Sequence, residues 1–177
     1  MLNKKMTQAL NGQINKEMYS AYLYMSMSGY SNRIGLKGFA NWFMVQYHEE
    51  MFHAMKMYEY VQRQGEDVIL KRIETPANTF KSALDMFKKT LAHEQYITQS
   101  INDLMELAIE KKDHATQIFL EWYVTEQVEE EDNDNDIIAQ LNLIGDNPQA
   151  LLMLDRELAA RAVTVPIDFS KGVGEGD

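Results

Sequence analysis

The sequence predicts an all-α protein: four long helices in one bundle, a single long crossover, and a short fifth helix. Three observations carry that prediction. Proline is scarce, with 3 in 177 residues (Pro76, Pro148 and Pro166), so residues 1–75 and 77–147 hold no imide to break a helix. Apolar residues recur with a 3.6-residue period along four successive segments. The joins between those segments are short, long and short. At 177 residues and 45% hydrophobic, the chain suits one domain with a sizeable core.

The elements follow in order. The first helix, about 2–31, carries the stripe Leu10, Ile14, Glu17, Ala21, Tyr24 and Ser28. Gly29, Ser31, Asn32 and Gly35 then separate it from a second, about 36–64, with Phe39, Phe43, Gln46, Glu50, His53, Met57 and Tyr60. Gly65 stands just past that helix. Thr79 is the expected cap of a third helix to about 111, striped by Leu84, Phe87, Leu91, Glu94, Thr98, Ile101, Met105 and Ala108. Asp113 caps a fourth, 114–144, with Leu120, Tyr123, Gln127, Glu130, Asp134, Ile137, Leu141 and Ile144, and Gly145 lies beyond it. Asn147 and Pro148 read as N-cap and first residue of a short helix to Arg161. Residues 1–161 form the expected domain. Residues 162–177, with Pro166, Gly172, Gly174 and Gly176, are expected to be a loose tail.

Join length decides topology. The short first and last joins make each helix pair antiparallel. A helix of ~30 residues is ~45 Å long. The middle join, about 65–78, spans at most roughly 46–50 Å when extended. It can therefore return along the whole bundle and leave the second and third helices parallel.

Composition excludes several functions. With 17 Lys and Arg against 27 Asp and Glu, the net charge is −10, the wrong sign for gripping nucleic acid. The absence of Cys excludes disulfides, zinc ribbons, thiol catalysis and iron–sulfur clusters. No apolar run approaches the ~20 residues of a membrane span, and no signal-peptide core follows the start. No membrane partner and a cytoplasmic location are the expectations.

Four glutamates interrupt the stripes: Glu17, Glu50, Glu94 and Glu130. The midpoints of the four segments fall at about residues 16, 50, 95 and 129, so the glutamates share one level whichever way each helix runs. His53 and Gln127 join them. Buried carboxylates need a cation, and none of the four stripes carries Lys or Arg. A pair of metal ions meets that need, since one carboxylate can bridge two. One glutamate in a stripe, or Glu50 and His53 three apart, is weak on its own. Four interruptions at matching heights are not. Oxygen ligands with one imidazole and no thiolate suit iron or manganese, with zinc as a redox-inert competitor.

These residues resemble the ferroxidase centre of bacterial nonheme ferritins: Glu17, Glu50-x-x-His53, Glu94, and Glu126-Gln127-Val128-x-Glu130, over about residues 1–160. The resemblance implies a ferritin-like bundle and an iron-storage ferroxidase that oxidises Fe(II) with O₂ or H₂O₂ and keeps ferric oxo-hydroxide in a cage. It implies that Glu17, Glu50 and His53 hold one iron. Glu50 bridges to a second, held by Glu94 and Glu130 with Gln127 close by. Glu49, Glu126 and Glu129, with Glu130, match a third iron position. Tyr24 and Trp122 match aromatic positions beside the centre, as electron donors or as packing. It also implies a homo-oligomer of twenty-four subunits, with the short fifth helix and its Leu151, Leu152, Leu154 and Leu158 near the fourfold axes.

Bacterioferritin is the alternative, along with other di-iron oxidoreductases. Its second Glu-x-x-His is replaced here by Gln127-Val128-Glu129-Glu130. Met51 stands where bacterioferritin places its haem ligand, but haem is not expected. Dps-like mini-ferritins bind iron between subunits and fit neither the intrabundle set nor the fifth helix. A non-catalytic interaction protein would need the interior glutamates exposed. The run 126–136 holds seven acids in eleven residues. Glu126 and Glu129 are read there as drawing iron inward, and Asp132, Asp134 and Asp136 as solubility. His48, His93 and His114 are read as structural or exposed. Gln117 and Leu120 match the acidic pore positions of animal ferritins without being acidic.

Overall fold

The computed structural model describes residues 2–173 and contains five α-helices: α1 (Lys4–Arg33), α2 (Lys37–Arg63), α3 (Ala83–Glu110), α4 (His114–Ile144) and α5 (Pro148–Leu158). A 3-10 turn, Phe169–Lys171, follows. The first two helices pair, as do α3 and α4, while α1 also packs on α3 and α5 sits on α2. No strand occurs among the described residues. Val173 is buried, and its N–H donates to Glu59 Oε1 at 2.8 Å. Gly174 and Gly176, assigned to the tail, lie outside the described residues.

The crossover runs alongside α1 in the same direction. Asn11 donates to the Asp67 carbonyl and accepts from the Ile69 N–H. Asn15 donates to the Lys71 carbonyl, Ser26 to Ala77, and Tyr30 to Phe80. Side chains of α1 thus satisfy the backbone of a segment that has no partner strand, at about 1 kcal/mol per bond. The segment carries the chain from the end of α2 back to the level where α2 began, so α2 and α3 run parallel.

Three helix ends differ from expectation, each for a local reason. α1 continues to Arg33 because Ser31 donates to the Met27 carbonyl and Asn32 to Ser28, absorbing both polar side chains within the helix. The reversal is left to Gly35, at φ 86°. α3 starts at Ala83 rather than Thr79. Phe80 is tucked against Tyr30, Ser82 accepts from the Asp85 N–H, and Asp85 accepts from the Lys81 N–H. That reciprocal cap fixes the start. α5 ends at Leu158 because Asn41 of α2 donates to the carbonyls of Leu158, Ala159 and Arg161, closing its C-terminus. Asp113 and Asn147 cap α4 and α5 as expected.

The core has two apolar halves. One holds Met27, Phe39, Trp42, Phe43, Phe87, Ile137, Leu141, Leu154 and Leu158. The other holds Leu10, Ile14, Met57, Ile97, Ile101, Leu104, Leu120 and Tyr123. Between them lies the polar slice described below. Leu120 is fully buried, so it lines no opening, and Gln117 donates to the Ala108 carbonyl.

α5 docks through one carboxylate. The N-terminus of α2 has no cap of its own, and Asp155 Oδ1 accepts from the N–H groups of Gly38 (2.8 Å) and Phe39 (3.0 Å). Gly38 is required by this approach: a Cβ there would lie 1.5 Å from the Asp155 carbonyl oxygen. Asp155→Ala is expected to cost about 1–2 kcal/mol, the worth of a helix cap. Gly38→Ala should cost more, because α5 must move. Thermal unfolding of the two variants beside the wild type checks the order.

Candidate metal centre

The four stripe glutamates meet in the polar slice. Glu17, Glu50 and Glu94 are each 1% exposed, His53 1%, Gln127 3% and Glu130 4%. One ligand atom each from Glu17, Glu50 and His53 lie within 4.8 Å of one another, and so do atoms of His53, Glu126 and Glu130. His53 Nδ1 stands 3.5 Å from Glu50 Oε2, and its Nε2 stands 3.9 Å from Glu126 Oε1. The ring is walled by Trp122 at 5.3 Å, edge to face, and Tyr123 donates to the His53 carbonyl.

Neutral donors hold one oxygen each of Glu17 and Glu130 and both oxygens of Glu94. Gln13 donates to Glu17 at 2.8 Å. Gln46 donates to Glu130 at 2.7 Å. Tyr24 and Gln127 both donate to Glu94. None of these donors cancels charge, and each leaves lone pairs for something else. Glu50 differs from the other three: neither of its oxygens has a partner, and Glu17 Oε2 and His53 Nε2 are also buried without one. Buried polar atoms without partners are rare in folded proteins, and here they cluster at one point.

Burial pushes these acids up. Glu17 is raised, Glu50 well above the usual carboxylate range with the charges of Glu94, Glu17 and Glu130 adding to burial, and Glu94 to about 8. Tyr24 is raised for the same reasons, burial first and the Glu94 charge second. A cation reverses the balance by favouring the ionised ligands.

The residues matched to a third position divide. Glu126 faces His53, and burial raises its carboxyl. Glu49 is drawn into an ion pair with Arg161 at 2.7 Å, and burial still pushes it to about 7. Glu129 is exposed and joins neither cluster. Among the histidines, His114 is exposed and His48 half-buried. His93 is hydrogen-bonded to Ser20, and burial lowers it to about 4. Met51 lines a surface groove of about 310 Å³ with Met18, Tyr22, Met25, Tyr47 and Ile73.

Sequence reasoning missed four participants. Gln13 precedes Glu17, which it holds, by four residues, and that spacing was its signal; Gln46 stands in the α2 stripe, but the acid it holds, Glu130, lies across the bundle. Arg161 lies beyond the end of α5 and carried no signal. Asp134 corrects an expectation: assigned to solubility with its exposed neighbours, it is 1% exposed. Its place in the α4 stripe, seven residues after Gln127, was the signal.

The family model of the ferritin-like domain matches residues 7–144. The chain belongs to the ferritin family. The bacterial non-heme ferritin of Staphylococcus haemolyticus is 43% identical over 162 residues, 92% of this chain and 98% of that one. That of Staphylococcus aureus is 40% identical over 161 residues, 91% and 97% of the two chains. Among solved structures, an open pore ferritin from the archaeon Archaeoglobus fulgidus is 49% identical, with a TM-score of 0.91 over 92% of this chain and 100% of that one. A closed form of the A. fulgidus ferritin, engineered by site-directed mutagenesis, is 49% identical, with a TM-score of 0.92 over 93% of this chain and 100% of that one.

The raised acids set a pH dependence for this ferritin without metal. Glu94 and Glu49 hold protons in the fold up to about 8 and about 7, against 4.5 as the ordinary value. The folded state therefore binds more protons than the unfolded one across that window, and stability falls as pH rises through it. Thermal unfolding of the metal-free protein should show a declining midpoint between about pH 5 and pH 8. Glu94→Gln, neutral at every pH, should flatten the decline.

Proposed function

We propose that this ferritin binds Fe(II) in pairs at the carboxylate slice, oxidises it, and stores the ferric product as oxo-hydroxide inside a cage of identical subunits. Iron is substrate and cargo together. The observation that carries the reading is Glu50, a fully buried carboxylate with no hydrogen bond to either oxygen, beside Glu17 and His53 and acted on by the charges of Glu94 and Glu130. A carboxylate so placed suits a bridge between two cations.

Glu17, Glu50 and His53 are assigned to the first iron, and Glu50, Glu94 and Glu130 to the second. Gln127 orients Glu94 from one side and Tyr24 from the other. Each Fe(II) gives up one electron, and O₂ or H₂O₂ accepts them. Protons leave the raised carboxyls as metal enters. Glu126 joins His53 and Glu130 at a third position, with Glu49 available once released from Arg161, and Glu129 at its rim. Trp122 fixes the His53 ring. Haem has no part in this reading.

Storage needs an enclosed space, which one bundle lacks. The surface carries the means to associate. Leu152 and Met153 of α5 are 51% and 72% exposed, and Tyr22, Met25 and Ile73 are exposed around the groove between α1, α2 and the crossover. Apolar surface of this extent suits contact with further copies. We infer a cage of twenty-four subunits in the cytoplasm. Among the described residues no helix is long and apolar enough to cross a membrane.

Stopped-flow oxidation of Fe(II) in air tests the chemistry. Glu17→Ala, Glu50→Ala and His53→Ala should each fall to nearly the rate of iron in buffer alone. Wild-type rates in all three would refute the assignment. Gln46→Leu, which frees Glu130 without removing a ligand of the dinuclear centre, should weaken Fe(II) binding at that centre by about 10–100-fold. Sedimentation tests storage: a particle of many subunits is expected, and a monomer or dimer that retains only a few irons per chain would leave oxidation without storage.

A further inference from the structure

Asp134 is the one buried acid of the slice that the reading above does not use. It lies on α4 one turn beyond Glu130, on the same face, and is 1% exposed. Neither of its oxygens has a hydrogen-bond partner. The electrostatic neighbours acting on it are Glu94, Glu130, Glu131 and Arg161, three acids and one base. That base is only half committed: Arg161 Nη2 pairs with Glu49 and the guanidinium stacks over Trp42, while Nη1 is buried without a partner and no ion pair joins it to Asp134.

A second orphan stands across the bundle. Gln46 of α2 is 0% exposed and holds Glu130 through its Nε2, while its Oε1 is buried without a donor. Gln46 is therefore fixed by Glu130, and α2 runs against α4, so the turn carrying Asp134 faces the stretch of α2 from Trp42 to Gln46. The two Asp134 oxygens and the Gln46 amide oxygen are each buried with no hydrogen-bond donor, and the orphan donor Arg161 Nη1 bonds to none of them. Once ionised, Asp134 offers acceptors alone, which cannot satisfy one another; a cation that displaces its proton can satisfy all of them.

We propose that Asp134, the Gln46 amide oxygen and Glu130 form a further cation site, one helical turn from the dinuclear centre, for a divalent ion that prefers oxygen ligands. The ligand set is harder than that of the centre, since it lacks the imidazole, which favours Mn(II) or Fe(II) over zinc. Glu130 belongs to both sites and couples them. The inference rests on reading the slice as a metal centre, and the experiment separates the two.

The assembled protein, stripped of metal, is titrated with Mn(II) and followed by calorimetry and by the electron paramagnetic resonance of free Mn(II). Wild type should bind one Mn(II) per chain more than Asp134→Asn or Asp134→Leu. Either variant should fold, because each replaces an unpartnered acid by a neutral side chain. Glu50→Ala should lose ions from the dinuclear centre and keep the one at Asp134. Anomalous diffraction from crystals soaked in Mn(II) should place a peak against the Asp134 carboxylate. Equal stoichiometry in wild type and both Asp134 variants, with Glu50→Ala reduced, overturns this site alone. Unchanged binding in Glu50→Ala overturns the dinuclear reading, and no binding by wild type overturns both. Arg161 found seated on Asp134 with no peak beside it also overturns this site.

Discussion

Burying four carboxylates at one level of a helix bundle is the constraint on which the rest of this structure depends. A charged group taken from water costs several times what a buried methyl returns, and like charges side by side add to the cost. The chain meets this with neutral hydrogen-bond donors on Glu17, Glu94 and Glu130, leaving Glu50 without a hydrogen bond and with the His53 ring near it. Guanidinium is kept at the edge, on Glu49, rather than at the middle. Burial raises these acids, so they keep their protons unless a nearby positive charge favours the ionised form.

Stability then has to come from elsewhere. The two apolar halves of the core, aromatic-rich around Phe39, Phe43 and Phe87 and aliphatic around Leu10, Ile97 and Leu104, clamp the slice from both ends. The helices must also arrive at the same height. The crossover sets this: hydrogen-bonded along α1, it brings α3 in against α1 and parallel to α2, so Glu94 comes level with Glu50. α5 braces the far end through Asp155, and the segment just beyond it delivers Arg161 to Glu49.

Much of the centre was legible because helical period and mid-helix position are one-dimensional quantities. Glu17, Glu50, His53, Glu94, Gln127 and Glu130 all interrupt apolar stripes near helix midpoints, and all are buried together. Asp134 obeys the same period, but it sits among acids that face solvent, and composition outweighed phase in reading it. Glu126 and Glu129 look alike in sequence, three residues apart in one acidic run. Only the rotation of α4 in the bundle turns Glu126 toward His53 and leaves Glu129 outside. Helix ends were less legible than helix centres, because they depend on partners such as Phe80 against Tyr30 or Asn41 under α5 that are far away in the chain.

The sequence by itself determined the five helices, their antiparallel pairing, the single long return and the level at which the acids lie, since each follows from local periodicity, capping and the reach of an extended chain. Tertiary structure alone decided which oxygens of the acids accept a hydrogen bond and which do not. That outcome depends on long-range pairs, Gln46 with Glu130, Tyr24 with Glu94, Arg161 with Glu49, whose members are 70 to 112 residues apart in the chain. No local rule links residues at that separation; they meet only because close packing brings their helices to a fixed rotation and height.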